Sequence, residues 1–216
     1  DQMSEAMLRA SMRYLRFGDI DQSVAMSVQG LEMARRSDSP RALAFALHGM
    51  GTSFTMAGRH AQALDYFKQM LIEARRAGSL LLEADATTSI GNATAAMGDL
   101  KGGEAHLRDA IKLYQRVGGP FYVNFGLFNL ATNLRKQGRH AEAMATLEQV
   151  LSIYEQHPNR IGRWYTLMAL SEESASLARP APAQAFADAA YTLAQQIGSA
   201  VYIAQSARRL SEMAAA

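Results

Sequence analysis

Histidines are the residues of this sequence that could most readily bind a metal or transfer a proton. The five histidines stand at positions 48, 60, 106, 140 and 157, and no two have the i, i+4 spacing with which histidines on one helix bind zinc. His60 and His140 both follow Gly-Arg and occupy the same position of a repeating unit. A residue that recurs with a structural period is better explained by packing in a turn than by catalysis. The histidines therefore predict neither a metal site nor a catalytic site.

The acidic residues and the glycines give no catalytic pattern either. Glu172 and Glu173, like Glu104 and Asp109, are expected on ordinary helical surface as solvated charges, because nothing pairs them for acid–base catalysis. The Lys-Gly-Gly segment at 101–103 begins a helix without the preceding strand that a phosphate-binding loop requires. The sequence therefore predicts that the protein is not an enzyme and needs no cofactor.

The composition predicts a folded protein and excludes some partners. The 216 residues are 49% hydrophobic and 19% charged, with 22 Lys and Arg against 20 Asp and Glu. These charges are interspersed, so the pI near 9.0 reflects a small surplus, and no direct nucleic-acid contact is expected. No window approaches the roughly 20 apolar residues that span a bilayer, so no membrane partner is expected. The absence of cysteine favours a reducing compartment, and we predict a cytoplasmic location.

Turn residues and helix caps recur every 40 residues. The turn series is Gly18, Gly58, Gly98, Gly138 and Ala178, and each member is flanked by segments of helical periodicity. The series of helix N-caps is Ser39, Ser79, Gly119, Asn159 and Ser199. The predicted units are 1–40, 41–80, 81–120, 121–160 and 161–200, each a helix-turn-helix, and a further helix is predicted at 201–213. No segment is typical of a strand. The sequence predicts an all-α single domain over residues 1–216.

The columns of this repeat resemble the tetratricopeptide repeat family. The second unit matches its signature best, through Leu47, Met50-Gly51, Phe54, Ala63 and Phe67. Columns of small residues, such as Gly51 and Gly91 or Gly103 and Ala143, indicate where the two helices of a unit approach closely. The 40-residue period makes the chain similar to the long repeats of bacterial regulators and of intracellular receptors for signalling peptides. The resemblance implies a right-handed α-solenoid whose first helices line a concave groove.

The family's groove pattern, applied to the first helix of each unit, supplies the candidates for partner binding. These candidates are Phe45, His48, Thr52, Asp85, Thr88, Asn92, Phe125, Phe128, Thr132, Arg135, Tyr165, Met168 and Glu172. Phe125, Phe128 and Tyr165 either form a binding surface or seal contacts between neighbouring repeats. Thr52, Asn92 and Thr132 either bond to the backbone of an extended peptide or are simply solvated.

The resemblance implies binding rather than chemistry. We predict a non-enzymatic scaffold that binds a protein or an extended peptide in the concave groove. The alternative is a sensory or regulatory segment of a larger bacterial transcription or signalling regulator, which the start at Asp1 and the final half-repeat would suit. A homo-oligomer formed through the terminal helices is a further expectation, because an uncapped helix can stack on a second copy.

Overall fold

Ten α-helices follow one another in residues 20–214, the part of the chain that the computed structural model describes. In chain order they are α1 (Ile20–Arg36), α2 (Pro40–Met56), α3 (His60–Arg76), α4 (Leu80–Ala96), α5 (Leu100–Val117), α6 (Pro120–Lys136), α7 (His140–Gln156), α8 (Arg160–Ser176), α9 (Pro180–Ile197) and α10 (Ala200–Ala214). This confirms the all-α fold of helix-turn-helix repeats. The predicted turn at Gly18 and the helix before it lie outside the described residues. No helix within the described range is long and apolar enough to cross a membrane.

A residue in the left-handed backbone conformation follows the first helix of each described unit. Gly58, Gly98 and Gly138 have φ angles of 73°, 99° and 74°. Ala178, at the same repeat position, has a φ of 54° although its Cβ disfavours this conformation. The turn geometry is therefore imposed by the helix pair, and glycine only makes it less costly.

Polar side chains cap the helices where the cap series predicts. Ser39 Oγ accepts a hydrogen bond from the backbone N–H of Ala42 at 3.3 Å, at the start of α2. Asn159 Oδ1 accepts one from the N–H of Gly162 at 2.9 Å, at the start of α8. Each bond satisfies an N–H group that has no partner within its helix. These caps place the first residue of α2 and α8, which together carry six of the thirteen candidate side chains.

The first compact unit ends at Gly119 and includes α1 to α5. Each of these helices packs against the next one along the chain. Its core consists of large apolar side chains that are all buried: Leu47, Met50, Phe67, Met70, Leu82 and Ile90. A Cβ added at Gly103 of α5 would lie 2.7 Å from the carbonyl oxygen of Gly91 in α4. The small-residue columns therefore mark a true close approach in this unit.

The second compact unit follows the first and includes α6 to α10. Here too, each helix packs against its neighbour in sequence. Buried side chains of this unit include Leu134, Ala143, Leu147, Trp164, Leu170 and Leu193. The unit begins at Pro120, one residue after the Gly119 of the predicted cap series. The single domain predicted over 1–216 stays a prediction.

Candidate functional site

A groove of about 300 Å³ opens in the second unit. Side chains of α6, α7, α8 and α10 line it: Phe128, Ala131, Thr132, Arg135, Leu147, Trp164, Tyr165, Met168, Ala169, Glu172, Glu173, Gln205 and Arg208. Six of them are candidates from the sequence, namely Phe128, Thr132, Arg135, Tyr165, Met168 and Glu172. The repeat brings these six together because α6 and α8 are the first helices of consecutive units, so equivalent positions fall side by side. A cavity of this size is at the lower end of the range for ligand pockets.

The aromatic wall of the groove is held rigidly. Tyr165 is 48% exposed, and its ring contacts Trp164 edge-on, with centroids 4.9 Å apart. Trp164 is only 2% exposed, stacks on Tyr202 of α10 at 4.4 Å, and donates a hydrogen bond from Nε1 to Ser206 Oγ at 2.9 Å. The tryptophan therefore packs α8 against α10 and at the same time lines the groove. An exposed ring fixed from behind in this way loses little entropy when it binds.

The remaining apolar surface of the groove comes from Phe128 of α6 and Met168 of α8. Both side chains are half-buried and pack against neighbouring core residues of the unit. Phe125, one turn before Phe128, is 47% exposed. The sequence left open whether these aromatics form a binding surface or seal contacts between repeats. Phe128 does both, since it packs against the core and lines the groove, whereas about half of Phe125 is exposed to solvent.

A cluster of charged side chains forms the other end of the groove. Arg135 Nη1 donates a short hydrogen bond to Glu172 Oε2, and Arg135 Nε lies 3.6 Å from Glu173 Oε1. The second carboxylate oxygen of Glu173 lies 2.8 Å from Nδ1 of His140, the first residue of α7. The expectation that Glu173 is a solvated surface charge is wrong, because its side chain is 1% exposed between α6, α7 and α8. No grouping of three metal-ligating side chains occurs within residues 20–214.

The charged cluster is not a general property of the repeat. The residues that precede Glu173 by one and two units are Asn133 and Ala93, and both are buried. His60 repeats the position of His140, but the residue equivalent to Glu173 in the unit that follows it is Ala93. Consistent with this difference, Nδ1 of His60 is buried and bonds to no residue of the described chain. The cluster therefore belongs specifically to the fourth and fifth units.

Candidates from the first unit lie in a separate polar network. Asp85 Oδ1 accepts a hydrogen bond from Tyr114 OH at 2.7 Å, and Thr88 Oγ1 lies 3.3 Å from the same hydroxyl. Tyr114 of α5 is fully buried and covers Thr88, which is 1% exposed. Thr88 is therefore not on an accessible surface, contrary to what its groove column suggests, and we leave it out of the proposed site.

Burial dominates the electrostatics of this network. It raises the pKa of Asp85 against the opposing effects of the Tyr114 hydrogen bond and of His48. It also raises the pKa of the Tyr114 hydroxyl well above its ordinary value, and the nearby Asp85 adds to that shift. Burial lowers the pKa of His48, and the attraction of Asp85 only partly opposes this shift. His48 and Tyr114 are therefore favoured as neutral groups, which suits a structural role better than ligand binding.

We expect the stability of the first unit to fall on acidification because of His48. The folded state holds a proton on this histidine more weakly than the unfolded chain, in which the pKa is about 6.5. The contribution is therefore present above that pH and is lost as the pH falls through the folded-state pKa. Urea unfolding at about pH 7.5 and about pH 5.5, roughly one unit on either side of the unfolded-state pKa, measures this loss of stability. In a His48→Gln variant the loss should be smaller; an equal loss would contradict this assignment.

The other candidates of the first unit do not gather around one cavity. Phe45 is half-buried, packs against the core, and lies under the guanidinium of Arg41, which is 5.7 Å from the ring centre. Thr52 is half-buried and Asn92 is exposed. Their role in binding stays a prediction.

Three exposed apolar side chains were missed by the family's groove pattern. Phe121, Ile161 and Val201 are 57%, 47% and 61% exposed, at the second residue of α6, α8 and α10. These three residues are 40 positions apart in the sequence. Large apolar residues at the same repeat position were the signal that could have identified them. Gln205 and Arg208 of α10 were missed as well, because the groove pattern was applied only to the first helices of the five complete units.

Comparison with known proteins identifies the repeat. The tetratricopeptide repeat model matches residues 82–156. No curated protein matches the chain in sequence. Among solved structures, aspartyl phosphate phosphatase F from Bacillus subtilis has a TM-score of 0.81 at 11% identity, over 98% of this chain and 55% of that one. PlcR from Bacillus thuringiensis, solved with the peptide PapR7 and DNA, has a TM-score of 0.79 at 11% identity, over 95% and 74%.

A Rap protein solved with Competence and Sporulation Factor is also similar. Its TM-score is 0.71 at 16% identity, over 99% of this chain and 64% of that one. At these identities the similarity shows the fold alone. The resemblance seen in the repeat columns is confirmed: residues 82–156 match the tetratricopeptide repeat model, and the similarity in fold extends over at least 95% of the chain.

Proposed function

We propose that this protein is a non-enzymatic scaffold that binds a protein or an extended peptide in the groove of its second unit. The observation that carries the proposal is the exposed ring of Tyr165, which is fixed from behind by the buried Trp164 and stands beside Phe128 and Met168. Rigid aromatic anchors next to apolar surface, rimmed by polar groups, are typical of binding hot spots.

Polar groups along the same groove suit a peptide backbone. Gln205 of α10 is exposed and carries both a donor and an acceptor. Thr132 Oγ1 donates to the carbonyl oxygen of Phe128 at 3.0 Å, so the same oxygen can still accept a hydrogen bond. An extended segment lying across α6, α8 and α10 would meet these groups in turn. The similar structure of PlcR contains the peptide PapR7, which supports a peptide as the partner, and the Rap protein is complexed with Competence and Sporulation Factor.

A second candidate function is that of a sensory or regulatory segment within a larger bacterial regulator. It is favoured by the coverage of the similar structures, since nearly all of this chain matches only 55% of the phosphatase and 64% of the Rap protein. In that case the same groove would receive the signal and another part of the protein would give the output. A cytoplasmic location and self-association through the terminal helices stay predictions.

Truncating the apolar surface of the groove should weaken peptide binding by about ten-fold or more, because truncating a hot-spot side chain costs about 2 kcal/mol or more. The test is selection of dodecapeptides from a random phage library on the unaltered protein, followed by fluorescence anisotropy with Phe128→Ala and Met168→Ala. The matched control is Met97→Ala, which truncates an exposed methionine of the first unit. Selected peptides that bind all three variants equally well would contradict the proposed site. A fourth variant, Asn92→Ala, tests the first unit: if it alone loses binding, the site lies there.

A further inference from the structure

One carboxylate oxygen in the groove has no hydrogen-bond partner. Glu173 lines the groove and is 1% exposed, and its Oε1 accepts no hydrogen bond from any residue in the described part of the chain. Arg135 Nε, at 3.6 Å, is beyond hydrogen-bonding distance. A buried carboxylate oxygen left without a donor is unfavourable, so the site is complementary to a group that donates.

The balance of charge gives the sign of that donor. Arg135 forms ion pairs with both Glu172 and Glu173, and the His140 ring bonds to the second oxygen of Glu173, so two carboxylates here face one permanently charged guanidinium and one imidazole. The other lining guanidinium, Arg208, is 78% exposed at the rim and lies 3.5 Å from Glu212. A cation entering the groove would therefore meet an excess of negative charge, whereas an anion would have to compete with both glutamates for Arg135.

The apolar surface next to the carboxylates defines the shape of the cation. Phe128, Met168 and Tyr165 line the same groove as Glu172 and Glu173, one to two turns before Arg135 and Glu172 on α6 and α8. A long aliphatic stem that ends in a charged donor matches this order of surfaces, as the side chains of lysine and arginine do. The groove of about 300 Å³ admits a side chain of this kind rather than a folded segment.

We propose that this groove binds a lysine or arginine side chain of the partner peptide, with the carboxylates of Glu172 and Glu173 as acceptors and the stem against Phe128 and Met168. The inference rests on the proposed function and specifies the chemistry of its ligand. The equivalent positions one unit earlier, Thr132 and Asn133, carry no charge. Selection for a basic side chain is thus a property of the fourth and fifth units.

A positional-scanning library of fluorescein-labelled nonapeptides, each fixed at one position, tests the proposal by anisotropy. With the unaltered protein, lysine or arginine at one position should bind about ten-fold more tightly than norleucine there, as expected for one buried charge pair. Glu173→Gln, which keeps the shape of the side chain, should abolish this preference, and Glu172→Gln should reduce it. The matched control is Glu148→Gln, which alters an exposed acid of α7 outside the groove.

The ratio of the affinities for the lysine-containing and norleucine-containing peptides distinguishes recognition by Glu173 from a structural role of this residue. If Glu173 only supports the fold, Glu173→Gln weakens all peptides equally and leaves the ratio unchanged, which would overturn the proposal. A preference of the unaltered protein for apolar or acidic residues at every position would also overturn it, while the proposed function would stand. If no peptide of the library binds, the proposed function fails and this inference fails with it.

Discussion

Replacing Trp164 with alanine should lower the free energy of unfolding of the second unit by about 3–5 kcal/mol, the usual cost of truncating a large buried aromatic side chain. The indole is 2% exposed, stacks on Tyr202, and supplies the donor for Ser206 Oγ, which is itself fully buried. Truncation therefore removes apolar burial, leaves a cavity between α8 and α10, and strands a buried hydroxyl. No other side chain in this unit combines these three contributions within the contacts described above.

Circular dichroism during chemical unfolding measures this loss, because it does not depend on the fluorescence that the substitution removes. Hydrogen exchange should show the largest loss of amide protection in α10, which Trp164 holds against α8. The matched control is Ile161→Ala on the same helix: its side chain is 47% exposed, so the change should stay within about 0.5 kcal/mol. If both variants unfold alike, Trp164 does not anchor the C-terminal helix.

The second large effect is expected at Gly103, where leucine should destabilise the first unit by about 3 kcal/mol or more through overpacking. A Cβ at this position would lie 2.7 Å from the carbonyl oxygen of Gly91 and 2.8 Å from Cβ of Ala95. The first of these atoms belongs to the backbone and cannot rotate away. The helices α4 and α5 would have to separate, which also disturbs the contact of Leu107 with the same region of α4.

Thermal unfolding of Gly103→Leu and of Ala105→Leu tests this contact. Ala105 lies two residues further along α5 and is exposed, so leucine there adds bulk without a clash. We expect Ala105→Leu to unfold at nearly the same temperature as the unaltered protein, because exposed substitutions usually change stability by less than about 0.5 kcal/mol. A Gly103→Leu variant as stable as Ala105→Leu would show that the two helices do not meet at their glycines.

The positions of helices and turns could be predicted because they depend on local chemistry. The left-handed residues at Gly58 and Ala178, and caps such as Ser39 and Asn159, act within a few residues of chain, so their spacing alone was enough. The candidate residues Phe128 and Met168 could be predicted for a related reason, since a fixed period puts equivalent positions of successive first helices side by side.

Burial of individual polar side chains could not be predicted in this way. Glu173 is buried because Arg135 and His140, each more than 30 residues away in sequence, converge on it. Thr88 is buried because Tyr114 of the next helix covers it. The burial of Glu173 and of Thr88 depends on the individual side chains of the neighbouring helices. The repeat pattern gives no information at positions where one unit differs from the next.

The alanine at the fifth turn has an energetic consequence for the repeats as a series. A left-handed conformation costs a residue with a Cβ about 1–2 kcal/mol more than it costs glycine. The hairpin that turns at Ala178 therefore contains strain that the hairpins turning at Gly58, Gly98 and Gly138 do not. A single methyl group on the backbone of a turn thus gives one of several nominally equivalent repeats a greater intrinsic tendency to open.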